Sequence, residues 1–244
     1  FVFTIPPILV LAVVQARRRG GIPSGRAWAF LLLVALIALV FTTPWDNYLV
    51  WRGIWTYGPE RVLGTIGYVP VEEYLFFVLQ PLLTGLWMLV LWRPGPSTGG
   101  GERARWVGTG VWVVLSLLGV VALRHTTGLY LGLILAWSGP VLAGQWAYAG
   151  GCFWRQRRLW SVAVAVPTLY LWVADRIALH LGIWHITEAY TLGLHLAGLP
   201  LEEAIFFLVT NLLVVQGLML FLTCNNGKSA VRAHGGAGVV AHGR

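Results

Sequence analysis

The sequence has almost no lysine. The only one, Lys228, lies in the C-terminal tail, so a retinal Schiff base inside a helical bundle is excluded. Cysteine is nearly as rare. Cys152 and Cys224 make no disulfide framework and read as free thiols in apolar surroundings. Acids are scarce too, nine in 244 residues. None of them forms an Asp-x-x-x-Asp pair, so a magnesium–diphosphate site finds no support. No Gly-x-Gly-x-x-Gly follows a strand, which argues against a flavin or nicotinamide domain. The six histidines show no metal-ligand spacing. His125 is in a loop, His234 and His242 are in the tail, and His180, His185 and His195 fall nearer the polar features described below. No metal and no cofactor are expected.

What the chain has in excess is apolar length. It is 57% hydrophobic and only 11% charged, where a soluble domain carries about 25% charged residues. Apolar runs fall at about 1–15, 27–43, 69–92, 106–123, 128–150, 159–181 and 198–223. This pattern predicts an all-α membrane protein with seven transmembrane helices, multi-pass in the cell membrane. The first run lacks a small-residue cleavage site and reads as a clipped helix rather than a signal peptide. The net charge of +8 sits in short loops, facing anionic lipid rather than nucleic acid. The loops after helices 1, 3 and 5 and the tail hold 13 Lys and Arg; the other side holds 4. That asymmetry places the N-terminus outside and the C-terminus in the cytoplasm. Residues 93–105 read as a flexible linker, and residues 224–244 as a disordered tail.

The chain also repeats itself. Pro70-Val71-Glu72-Glu73-Tyr74-Leu75-Phe76-Phe77 returns as Pro200-Leu201-Glu202-Glu203-Ala204-Ile205-Phe206-Phe207. Upstream lie Gly53-Ile54-Trp55 and Gly182-Ile183-Trp184, and before those Asp46 and Asp175. The offset of 129 to 130 residues maps helices 1 to 3 onto helices 5 to 7 and leaves helix 4 unpaired. The expected organisation is a 3+1+3 parallel repeat: residues 1–92, a linker with the extra helix at 93–127, a second repeat at 128–223, then the tail. Both halves then share one orientation, and both acidic motifs lie on the outer face.

Six of the nine acids stand in the two matched sets: Asp46, Glu72, Glu73, Asp175, Glu202 and Glu203. Carboxylates in a first helical turn suit the helix dipole, so one Glu pair alone is explained as a cap. Duplication with a shared Asp and a shared Gly-Ile-Trp favours a site, because acids are costly in lipid. Adjacent glutamates point about 100° apart on a helix, so one of each pair at most faces the centre squarely. Glu72 and Glu202 are expected to converge on one pocket. Aromatics follow each pair (Phe76, Phe77, Phe206 and Phe207), and Trp45, Trp51, Trp55, Tyr57, Tyr68 and Trp184 crowd the same side. Most of the 14 tryptophans read as an interfacial belt. Those beside the acids suit a cage of π-faces around a cation. A carboxyl in such a pocket can stay protonated and serve as a general acid. Paired intramembrane carboxyls also mark ion paths, so a proton-coupled transporter or channel is the alternative from another class.

With these two Pro-x-Glu-Glu motifs, each preceded by Asp and Gly-Ile-Trp, the chain resembles the membrane-integral lycopene cyclases over about residues 1–223. The resemblance implies cyclisation of linear carotene ends to β-ionone rings, a redox-neutral isomerisation without a redox cofactor. It implies lycopene as the substrate, or a longer carotenoid or another ring isomer, met from membrane lipid. It carries catalytic roles onto Glu72, Glu73, Glu202 and Glu203, and the repeated Asp46 and Asp175 join them. Substrate contacts are expected from Trp55, Trp184, Phe76, Phe77, Phe206 and Phe207. Tyr57 stands opposite Ile186 in the repeat, and Tyr74 opposite Ala204, so unequal halves are expected. Homo-oligomerisation stays open.

Overall fold

The computed structural model describes residues 3–18, 24–58, 60–93 and 101–224. Residues 94–100 of the expected linker and 225–244 of the expected tail lie outside the described residues. Among the described residues, seven α-helices carry the fold: α1 (Ile5–Arg17), α2 (Ser24–Trp51), α3 (Val71–Leu91), α4 (Glu102–Ala122), α5 (Leu129–Arg155), α6 (Arg157–His180) and α7 (Leu201–Met219). Six of them are long and apolar enough to cross a membrane. The first, α1, has 13 residues and spans about 20 Å, short of the roughly 30 Å hydrocarbon core.

Helix α2 runs further than its apolar run foretold. It passes through Pro44 and ends at Trp51, so Asp46 stands inside the helix. Proline removes one backbone donor, the one that would bond Val40 O, and side chains on either side of it bond adjacent carbonyls. Thr43 Oγ1 donates to Leu39 O at 2.6 Å, and Asn47 Nδ2 donates to Thr43 O at 2.8 Å.

The chain is also less purely helical than expected. Short strands occupy the connections that carry the motifs: β1 (Trp55–Tyr57), β2 (Thr65–Ile66) and β3 (Val69–Pro70), then β4 (Trp184–Ile186), β5 (His195–Leu196) and β6 (Leu199–Pro200). Backbone near the bilayer must satisfy its own hydrogen bonds, and these pairings do so. The two connections are built alike. Helices α2 and α6 stop at Gly53 (φ +68°) and Gly182 (φ +62°). In each, the residue after the glycine donates back five positions, Ile54 to Leu49 at 2.9 Å and Ile183 to Ala178 at 3.1 Å. A left-handed glycine at that place satisfies the last helical carbonyls. Tight hairpins β2–β3 and β5–β6 follow and lead into α3 and α7. Between the two connections, β1 pairs with β4 antiparallel: Trp55 faces Ile186, Thr56 faces His185 and Tyr57 faces Trp184.

The main core lies where α3, α5 and α7 meet, around the fully buried Leu86, Leu142, Val215 and Leu218. A buried polar knot crosses it. Asn211 Oδ1 accepts from Gln80 at 2.6 Å and from Thr84 at 2.5 Å, and Asn211 Nδ2 donates to Thr168 at 3.0 Å. The knot joins α3, α6 and α7 without leaving a polar group bare. Helix α4 packs chiefly on α5. Glycines make that approach close: a Cβ at Gly119 would stand 2.7 Å from Ala136 N, and one at Gly132 would stand 2.9 Å from Leu123 N. Cys152 is a buried thiol on α5.

Candidate active site

The site is assembled where the two motif-bearing connections meet. Each Glu pair opens its helix straight after proline, and the two members part company there. Glu72 Oε1 accepts the Leu63 backbone N–H at 2.8 Å. Glu202 Oε1 accepts the Leu192 N–H at 2.7 Å. Both clamp the strand connection to the helix start. The first N–H of each helix is held by the same loop, Val71 to Gly64 O at 3.0 Å and Leu201 to Leu194 O at 2.9 Å. The clamps suggest a test. Alanine at Glu72 or Glu202 removes a side-chain bond to the loop backbone, and a loss of about 0.5–1.5 kcal/mol in stability is expected, smaller at the exposed Leu63 N–H. Glutamine keeps an acceptor there and should retain most of it. Thermal denaturation in detergent measures both.

Glu202 is itself fully buried, and what sets the second members apart is that they face the other carboxyls. Glu203 is 1% exposed and accepts from the hydroxyl of Tyr130, itself fully buried at the start of α5. Glu73 lies within electrostatic reach of Asp46, Asp175 and Glu203. Asp46 and Asp175 each reach across to the other half, Asp46 to Glu203 and Asp175 to Glu73. The four carboxyls therefore form one cluster, drawn from both halves. Trp184 Nε1 donates to Asp175 Oδ1 at 3.1 Å. Asp46 is fully buried, and among the described residues no donor reaches either of its oxygens. Tyr57, on β1, faces the same cluster. Burial, and then the carboxyls of Glu73, Asp46, Glu203 and Glu72, raise its phenol well above its ordinary range. At neutral pH it stays protonated.

Aromatic rings enclose the cluster. Trp45 stacks on Phe206 with centroids 5.6 Å apart. Trp55 packs edge-on against Trp45 at 5.7 Å, Tyr130 at 5.8 Å and Trp184 at 5.6 Å. Such edge and offset arrangements are the ones aromatic pairs prefer. Trp51 and Tyr68 are exposed and belong to the surface. Phe76 and Phe77 line an apolar cavity below the cluster. Phe207 instead packs with Leu83 and Leu171. His180, His185 and His195 are all exposed. Tyr74, equivalent to Ala204, ties the first hairpin: its hydroxyl donates to Ile66 O at 2.9 Å and accepts from Asn47 at 3.1 Å.

The cavity has a volume of about 460 Å³ and lies among α2, α3, α5 and α7. Phe76 and Phe206 form its end nearest the carboxyls, and Phe30, Gln145 and Gly217 its far end. Ile37, Phe41 and Val141 on its flank are exposed. Helix α2 packs on α3 and touches α7 little, so the slot stays open sideways.

Tyr130 is the site residue that the motifs do not reveal. It stands outside the duplicated strings, and α1, which the repeat pairs with α5, has no tyrosine. A tyrosine at the start of an apolar helix carries no sequence signal of its own, since belt tyrosines look the same.

The lycopene cyclase family matches residues 1–91 and 124–221. The chain belongs to the lycopene cyclase family. A lycopene beta-cyclase of Halobacterium salinarum is 46% identical over 217 residues, covering 88% of this chain and 91% of that protein. A bifunctional lycopene cyclase/phytoene synthase of Podospora anserina is 39% identical over 236 residues, 90% of this chain and 39% of that one. One from Aspergillus oryzae is 36% identical over 202 residues, 79% of this chain and 34% of that one. No solved structure matches. The stretch that the lycopene cyclase family leaves unmatched, 92–123, holds α4.

Proposed function

We propose that this chain is a lycopene β-cyclase, an isomerase that closes β-ionone rings on the ends of a linear carotene. The observation that carries the reading is the cluster of four carboxyls from two halves, walled by aromatic rings and joined to an apolar slot. The named relatives support it. One carboxyl of the Glu73–Glu203 pair delivers a proton to the terminal alkene. The tertiary cation so formed is attacked by the nearby internal double bond, which closes the ring. The other carboxyl takes a ring proton and leaves the ring alkene. One proton enters and one leaves, and no electrons are transferred. Trp45, Trp55, Trp184 and Phe206 stabilise the cation through their π-faces. Asp46 and Asp175 complete the proton-holding cluster, and Glu72 and Glu202 keep the inner pair in place.

In the same reading the fold is seven spans in a 3+1+3 parallel repeat of a cell-membrane protein, with the N-terminus outside. The antiparallel pairing of β1 with β4 supports a two-fold axis along the membrane normal, because equivalent strands pair about such an axis. The substrate enters sideways from lipid. A single cluster handles one end at a time, so a one-ringed intermediate should accumulate when enzyme is limiting.

The test is expression in cells that accumulate lycopene. Red pigment is expected to give way to yellow-orange cyclised carotene, identified by chromatography and absorbance. Unchanged lycopene alongside folded protein in the membrane would overturn the proposal.

A further inference from the structure

We infer that the slot beneath the carboxyl cluster binds the body of the polyene, and that Gly217 at its inner end sets the chain length the enzyme accepts. This rests on the cyclase reading. The slot begins one helical turn past Glu203, at Phe206, whose ring also stacks on Trp45 in the cage. A chain with its end among the carboxyls therefore continues directly into it. Gly217 lies on the same helix about 21 Å from Glu203, at the helical rise of about 1.5 Å per residue. Val34, on the facing wall, lies about 18 Å along α2 from Asp46 by the same rise.

Gly217 differs from the packing glycines of this fold. A Cβ at Gly85 would collide with Leu31. A Cβ at Gly217 would meet nothing within 4 Å. No neighbour requires the glycine, although an interior helical glycine costs about 1 kcal/mol relative to alanine. The room its missing side chain leaves belongs to the slot. A forty-carbon polyene is about as long as the bilayer core is thick, about 30 Å. A thirty-carbon polyene with the same ends, scaled from that length, reaches about 22 Å. The longer chain must pass Gly217, whereas the shorter one ends beside it. A side chain at position 217 would stand in the path of the first and spare the second.

The experiment measures cyclisation of thirty- and forty-carbon acyclic polyenes by the wild type, Gly217→Ala and Gly217→Leu. Val34→Phe narrows the slot from the opposite wall and serves if Gly217→Leu does not fold. The ratio of short-chain to long-chain turnover should rise at least tenfold in Gly217→Leu, with Gly217→Ala between. Val34→Phe should shift it in the same direction. An unchanged ratio, or equal loss of both activities in protein that elutes as a single folded species, overturns the slot while leaving the cyclase reading intact. A wild type that cyclises neither polyene overturns both.

Discussion

Glu73→Gln and Glu203→Gln are each expected to lower lycopene cyclisation by about 10²–10⁴-fold, the range for a lost general acid or base. The fold should survive. Glutamine has the same shape, and at position 203 its carbonyl oxygen still accepts from Tyr130. It cannot give or take the reacting proton. The same change at Glu72 and Glu202 should cost much less, because their task is to accept a backbone N–H, from Leu63 and Leu192 respectively. Initial rates on lycopene in detergent or liposomes, with all four variants side by side, measure this. If the outer pair proves the sensitive one, the assignment of clamp and catalyst must be exchanged. If all four keep near-normal rates, the carboxyls are helix caps and the proposed mechanism falls.

Trp55→Leu should slow the reaction by about 30-fold while Trp55→Phe stays within a few-fold of the wild type. Trp55 is 5% exposed and touches Trp45, Tyr130, Trp184 and Phe206. It is the ring on which the cage turns. A desolvated cation over an aromatic face gains about 2 kcal/mol, and each 1.36 kcal/mol in the barrier is about tenfold in rate. Leucine keeps the apolar contact and removes the π-face; phenylalanine keeps both in smaller form. A purely structural tryptophan predicts a different pattern, in which rate follows stability and the two variants track their melting temperatures. Measuring rate and thermal midpoint for both variants separates the two cases. Equal rates for leucine and phenylalanine would remove the cation from the argument.

Much of this protein was legible before any coordinates. Low charge and long apolar runs dictate membrane helices, because only regular, internally bonded backbone is tolerated in lipid. The duplicated Pro-x-Glu-Glu strings, with Asp and Gly-Ile-Trp at matched offsets, mark where the acids gather, since carboxyls in such a chain are too costly to be repeated idly. Helical geometry also dictates that the members of each Glu pair face different ways. Which member faces the cluster is not carried by spacing: Glu72 and Glu202 are expected there from the sequence, whereas Glu73 and Glu203 are the ones within electrostatic reach of Asp46 and Asp175. That depends on the path of the hairpin loops, which bring the Leu63 and Leu192 N–H groups to Glu72 and Glu202 and leave Glu73 and Glu203 to the carboxyl cluster. The continuation of α2 through Pro44 to Trp51 was hidden too, because the apolar run ends at about residue 43 and the polar residues beyond it, Asp46 and Asn47, carry no helical periodicity of their own.

The sequence by itself determined the class of the protein, the positions of its acids and the likeness of its halves, because composition and spacing are local properties of the chain. Only the tertiary structure decided that Tyr130 meets Glu203, that β1 pairs with β4 so the halves share one cluster, and that a slot runs from Phe206 to Gly217. Each of these joins residues distant along the chain, and their meeting is set by how α2, α3, α5 and α7 pack, which no spacing encodes.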